Sequence, residues 1–308
     1  MSDTILLVGH GSRDAAGNRE IEEFTRLWRA RRPGWNIQVC FIEFAEVLVP
    51  EGLDRAAANA GRVIVLPLIL NAAGHVKMEI PEHIEVARAR HPKTEFVYAP
   101  HLGASDPILA ILKRRLKQAM HALDMPDPTV TGIVLLGRGS SDRMANGEVA
   151  KMARWLQEEG DHELIDIAFT GITWPRLERV VQRQAQLGMT QIVVLPYYLF
   201  TGTLIERIKR QVGNLQGQYP QIRFARGDYF GSENEIFELL DERVRGIQRG
   251  HAAALMPCDG CKFREIAHEH GHGHAHDHTD DHDGQPAHDR HEQHPEHEQR
   301  PARAAQAT

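Results

Sequence analysis

Two histidines stand where a fold can present them to a ligand. His10, in "LLVGHGSRD", follows a short run of branched apolar residues and precedes a helical stretch, and so does His75, in "LPLILNAAGHVKMEIPEH". Such runs read as strands covered on both faces, and open parallel sheets bind ligands beyond the carboxyl ends of their strands. Two rings so placed can converge on one ion. Imidazole suits cobalt, nickel, iron and zinc, and a neutral ring also accepts a proton near pH 7. Glu43 and Glu46, in "FIEFAE" at the end of a further apolar run, offer a third metal ligand or a proton acceptor. Only one of the two need face the cleft, and Glu43 is preferred. The plainer alternatives are turn histidines bonded to backbone and acids solvated at a strand end.

The chain carries its own control for these residues. "ILLVGHGSRD" at 5–14 returns as "IVLLGRGSSD" at 133–142, and "LPLILNAAGH" at 66–75 aligns with "LPYYLFTGTL" at 195–204. In that register His10 meets Arg138, His75 meets Leu204, and Glu43 and Glu46 meet Gly171 and Trp174. Both histidines are lost together while the scaffold is kept. Structural histidines have no reason to vanish as a pair, so the asymmetry assigns the chemistry to the first copy.

The elements that must position these residues alternate along the chain. Apolar runs at 4–8, 37–44, 62–70 and 94–100 read as strands. Between the first two, Ile21, Phe24, Leu27 and Trp28 recur at helical spacing. "GIVLLGRGSSD", "LIDIAFTGIT", "QIVVLPYYLFTG" and "IRFARGDYFG" repeat the order, and Gly103 meets Gly231. Alternating strand and helix, written twice, predicts an α/β fold of two duplicated lobes, each a parallel sheet flanked by helices. The lobes are expected over 1–125 and 129–250. Residues 251–308 hold "MPCDGC" and most of the 19 histidines with few apolar residues, so they are expected to form a disordered tail.

Bulk properties narrow the function classes. The chain has 308 residues, 42% of them apolar, and 36 basic against 42 acidic side chains give a net charge of −6. That balance argues against a nucleic-acid partner, and any anionic ligand must meet a local cationic site. No apolar run approaches a membrane span or a secretory signal, so a cytoplasmic protein is expected. The chain has neither a G-x-x-x-x-G-K-[ST] loop nor a G-x-G-x-x-G after a strand, so the chemistry is expected to run without ATP or a dinucleotide. Three cysteines, Cys40, Cys258 and Cys261, make no disulfide framework.

"LLVGHGSRD", "FIEFAE" and "LPLILNAAGHVKMEIPEH" together resemble the sirohydrochlorin cobaltochelatase family, in its long two-lobed form, over about residues 1–250. The tail also looks like that of some long members. The resemblance implies an ATP-independent enzyme of cobalamin synthesis that inserts Co2+ into sirohydrochlorin. His10, His75 and a carboxylate, Glu43 or Glu46, would hold the metal and accept the pyrrole protons. A tetrapyrrole rimmed by about eight carboxylates calls for cationic and helix-terminal contacts, and Ser12, Arg13, Arg138, Ser140, Arg207 and Lys209 are the candidates. Cys258 and Cys261 supply two ligands of an iron–sulfur cluster, which would be completed by other residues or by a second subunit of a homodimer; an idle reduced pair is the alternative. Two further readings stand beside the cobalt enzyme. One is the same reaction with iron, for sirohaem, or with nickel. The other is a metal-storage or delivery protein whose histidine tail does the work.

Overall fold

The computed structural model describes residues 3–250. The tail expected over 251–308, with Cys258 and Cys261, lies outside the described residues. The first half runs β1 (Asp3–Gly9), α1 (Ala15–Arg31), β2 (Asn36–Phe41), α2 (Val49–Ala57), β3 (Arg62–Pro67), a π-helix (His75–Glu79), α3 (Ile80–Arg90), β4 (Glu95–Tyr98) and α4 (Asp106–His121). The second runs β5 (Thr131–Gly137), α5 (Arg143–Glu158), β6 (Ile165–Phe169), α6 (Leu177–Gln186), β7 (Gln191–Pro196), α7 (Thr203–Gln218), β8 (Arg223–Arg226) and α8 (Asn234–Gln248). Two four-stranded parallel sheets result, ordered β2-β1-β3-β4 and β6-β5-β7-β8. The duplicated α/β architecture is as the repeat predicts.

Three strands stop short of their apolar runs. β2 ends at Phe41, β3 at Pro67 and β4 at Tyr98, yet Ile42, Leu68, Leu70 and Ala99 beyond them are buried. Apolar runs report burial, and the first residues of these loops are buried anchors that have left the ladder. Glu43 therefore belongs to a loop, where its side chain is not bound to strand alternation.

Each sheet buries both faces. Leu6 and Val8 of β1 pack under α2 and α3, while Ile5 and Leu7 face the other way into a core shared with Ile133 and Leu135 of β5. That shared core is closed by exchanged helices. α4 lies against β7, β8 and α5 of the second half, and α8 reaches back to α1. There Phe237 stacks on Phe24 at 4.2 Å and buried Asp241 accepts a 2.9 Å hydrogen bond from Trp28 Nε1. Further contacts tie the halves near the carboxyl ends of the strands. Glu20 of α1 accepts from the Thr201 amide at 2.9 Å, and Glu148 of α5 from the Ala104 amide at 2.9 Å.

Candidate metal centre

In each sheet the strand order reverses beside its first strand: β1 is flanked by β2 on one side and β3 on the other. Loops leaving β1 and β3 diverge there and open a crevice. His10 follows β1 and His75 follows β3, so the topology aims both at one place.

The backbone around His10 is fixed closely. The β1–β2 pairing continues past the strand ends, with Ile42 N donating to Gly9 O at 3.0 Å and Glu43 N to His10 O at 3.1 Å. Gly11 adopts φ +89°, and a Cβ there would lie 1.7 Å from the Glu43 carbonyl oxygen, so only glycine lets the two loops touch. Asn18 of α1 staples them, its Nδ2 donating to Ser12 O at 3.0 Å and to Phe44 O at 2.8 Å. His75 opens the π-helix, a wide turn found often at functional sites. Its Nδ1 meets Glu79 Oε2 at 2.5 Å.

His10, Glu43 and His75 each bring one ligand atom within 4.8 Å of the others, and they are the one such group among the described residues. The imidazole rings meet edge-on at 5.0 Å, and His10 Nδ1 lies 3.4 Å from Glu43 Oε1. Ligands about 2.1 Å from a tetrahedral ion sit about 3.4 Å apart, inside the 4.8 Å within which the three ligand atoms lie, so the group suits a first-row divalent metal after small rotations. The side chains remain 27%, 28% and 39% exposed for His10, Glu43 and His75. An ion held here would keep coordination positions open to a second ligand.

The two histidines differ in proton affinity. Burial pushes His10 down to about 4, and the charges of Arg138 and His75 push the same way. Its ring is neutral at pH 7, with a lone pair to offer. Arg138 Nη1 lies 2.7 Å from His10 Nε2, and His10 Nδ1 lies 3.2 Å from Gly11 O. A guanidinium only donates and a carbonyl only accepts, so the proton is assigned to Nδ1 and the lone pair to Nε2. His75 is raised above its ordinary value, chiefly by its hydrogen bond to Glu79 and against burial. Burial alone would raise Glu79, but the His75 hydrogen bond and the nearby imidazoles leave it lowered.

Other expected site residues take varied positions. Glu46 is exposed and stands outside the ligand group. Arg13 lies over the Phe44 ring at 4.9 Å, beside Glu43. The hydroxyls of Ser12 and Ser140 accept from the amides of Asp14 and Asp142 at 3.1 and 3.0 Å, matching turns that start α1 and α5. Arg207 is exposed on α7, and its charge acts on Tyr198, whose hydroxyl meets Thr170 Oγ1 at 2.7 Å. Lys209 pairs with Glu206 at 2.6 Å. Four residues escape sequence reasoning. Glu79 could have been found from its spacing, four residues from His75. The Lys77–Asp142 ion pair, which joins the π-helix to the N-cap of α5, has no linear signal. His101, after β4, is pushed down to about 4 by burial, helped by the Arg243 charge.

Comparison with known proteins accords with this geometry. The CbiX family matches twice, over residues 4–119 and 132–247. A sirohydrochlorin cobaltochelatase of Priestia megaterium is 38% identical over 270 residues, 87% of this chain and 86% of the relative. A sirohydrochlorin ferrochelatase of the same organism is 28% identical over 80% of this chain and 90% of its own length. Among solved structures, SirB from Bacillus subtilis with Fe3+ superposes with a TM-score of 0.71 at 27% identity, covering 83% of this chain and 99% of that one. SirB from Bacillus subtilis subspecies spizizenii in complex with cobalt gives 0.69 at 26% identity, covering the same shares.

Proposed function

The chain belongs to the CbiX family, a sirohydrochlorin metal chelatase in two repeats, and from that premise we propose that it inserts Co2+ into sirohydrochlorin in the cytoplasm without ATP. The observation that carries the reading is the meeting of His10, Glu43 and His75 in the first repeat, whose counterparts in the second are Arg138, Gly171 and Leu204. One repeat holds the ion and the other helps hold the macrocycle.

Insertion requires a metal stripped of water and two pyrrole nitrogens stripped of protons. His10 Nε2, a Glu43 oxygen and His75 Nε2 replace water on the ion. Borderline imidazole and hard carboxylate ligands hold such an ion exchangeably, which lets the metal pass on to four pyrrole nitrogens. As it leaves, the His75–Glu79 pair accepts one pyrrole proton and the Glu43 carboxylate, released from the ion, accepts the other. Glu79 fixes the ring through Nδ1 and stabilises the imidazolium formed by protonation at Nε2. Arg13, Arg138 and Arg207 would meet the substrate carboxylates.

Iron insertion is the second reading, favoured by the ferrochelatase relative and by the iron-bearing neighbour. An anaerobic spectrophotometric assay of sirohydrochlorin with Co2+, Fe2+ and Ni2+, without nucleotide, separates the alternatives. Turnover with the highest kcat/KM for Co2+ is expected. A higher kcat/KM for Fe2+ would reassign the metal. Tetrapyrrole binding without turnover by any ion would point to a storage or delivery protein.

A further inference from the structure

Arg138 occupies the position that His10 occupies in the other repeat, and its side chain crosses between repeats to that same histidine. Its Nη1 donates to His10 Nε2 at 2.7 Å. Because His10 Nδ1 is turned onto the Gly11 carbonyl, Nε2 carries the lone pair that a metal would take. The guanidinium and the ion therefore compete for one electron pair, and two cations cannot share it.

The backbone of Arg138 is as fixed as that of His10. Gly171 N donates to Arg138 O at 3.0 Å, and Gly139, at φ +87°, brings the loop so close that a Cβ would lie 2.2 Å from Gly171 O. A few residues on, Asp142 pairs with Lys77 of the π-helix that carries His75. The loop is thus held at one end by the backbone around Gly171 and tied at the other to the π-helix that carries His75, which leaves the exposed Arg138 side chain as the part able to swing. A planar guanidinium prefers a carboxylate, which it binds in a charge-assisted pair, to a neutral imidazole.

We propose that Arg138 is a positioning residue that holds the His10 Nε2 lone pair until a tetrapyrrole carboxylate draws the guanidinium away, so that metal enters after the macrocycle. This rests on the reading of the site as a sirohydrochlorin chelatase. Metal without its acceptor would be bound weakly, and bound substrate would open its own metal seat. The coupling is reciprocal, as any linkage between two ligands must be.

The test has two arms. In the first, Co2+ alone is titrated into wild type, Arg138→Ala and Arg138→Lys, read by calorimetry and by the visible d–d absorption of bound cobalt. Arg138→Ala is expected to bind Co2+ about tenfold or more tightly, as removal of a charge-assisted hydrogen bond and a nearby cation implies, with Arg138→Lys nearer wild type. Unchanged or weaker binding in Arg138→Ala overturns the proposal. In the second arm both substrates are varied in the metallation assay. The KM for Co2+ should fall as sirohydrochlorin rises in wild type and be independent of it in Arg138→Ala; independence in wild type overturns the ordering. A wild type without turnover would defeat the chelatase reading, whereas the titration would still decide the competition at His10.

Discussion

His10 and His75 lie side by side, but their surroundings separate their proton affinities and the roles proposed for them. Burial leaves His10 neutral down to about 4, fitting it to offer a lone pair at any working pH, while Glu79 makes His75 the better proton acceptor. Changing either histidine to alanine should lower the metallation rate at least about 100-fold, with far-UV circular dichroism unchanged, since a positioned acid-base group contributes ~10² to 10⁴. Glu79→Gln tests the division directly. His75 must be neutral to act, so activity falls as pH drops through its pKa. The substitution removes the hydrogen bond to a carboxylate that raises this pKa and leaves burial to lower it. The acidic limb of the kcat/KM profile should therefore move to lower pH, and the plateau should fall because a weaker base accepts protons less readily. An acidic limb unmoved in the variant would assign the proton to another group.

At the scale of elements, the proposed metal centre depends on how loops leave strands. β1 and β3 aim the histidines because the strand order reverses between them, and the loop after β2 reaches Glu43 across by continuing the ladder for two more hydrogen bonds. The close approach at Gly11 is what holds the His10 and Glu43 loops together. Gly11→Ala would need a left-handed backbone and would drive a Cβ into the Glu43 carbonyl. It should cost at least about 2 kcal/mol of stability in denaturant melts and most of the Co2+ affinity. Gly74→Ala is the control, because Gly74 has helical angles and nothing within 4 Å of its would-be Cβ. It should leave both quantities near wild type.

At the scale of the molecule, the two repeats are not independent bodies. α4 serves the second sheet, α8 covers α1 of the first half, and one apolar core runs between the sheets. Separate chains of residues 1–125 and 129–250 would each expose part of that core and leave Trp28 Nε1 or Asp241 without its partner. Each alone is expected to be aggregated or molten by circular dichroism and gel filtration, and the two together to regain Co2+ binding. Two fragments that fold cooperatively on their own would refute this account of the core. The intact chain should unfold in a single transition.

The duplication, the parallel sheets and the pairing of His10 with His75 were legible in the linear chain, because apolar runs and repeat offsets are local properties that survive without knowledge of contacts. The replacement of His10 by Arg138 was legible too, as an alignment. That the two residues then touch was not, because an alignment says which positions correspond and nothing about which meet. The same holds for α4 and α8: helical spacing shows that one face of each is buried, but not that each is buried partly by the other repeat. Glu43 and Glu46 share one loop and one chemistry, and only the crossing of that loop over Gly11 brings Glu43 to the ligand group and leaves Glu46 exposed. Sequence determined which groups are available and on which repeat; tertiary structure decided which of them share a few ångströms, because that distance is set by the shared core that docks one half against the other.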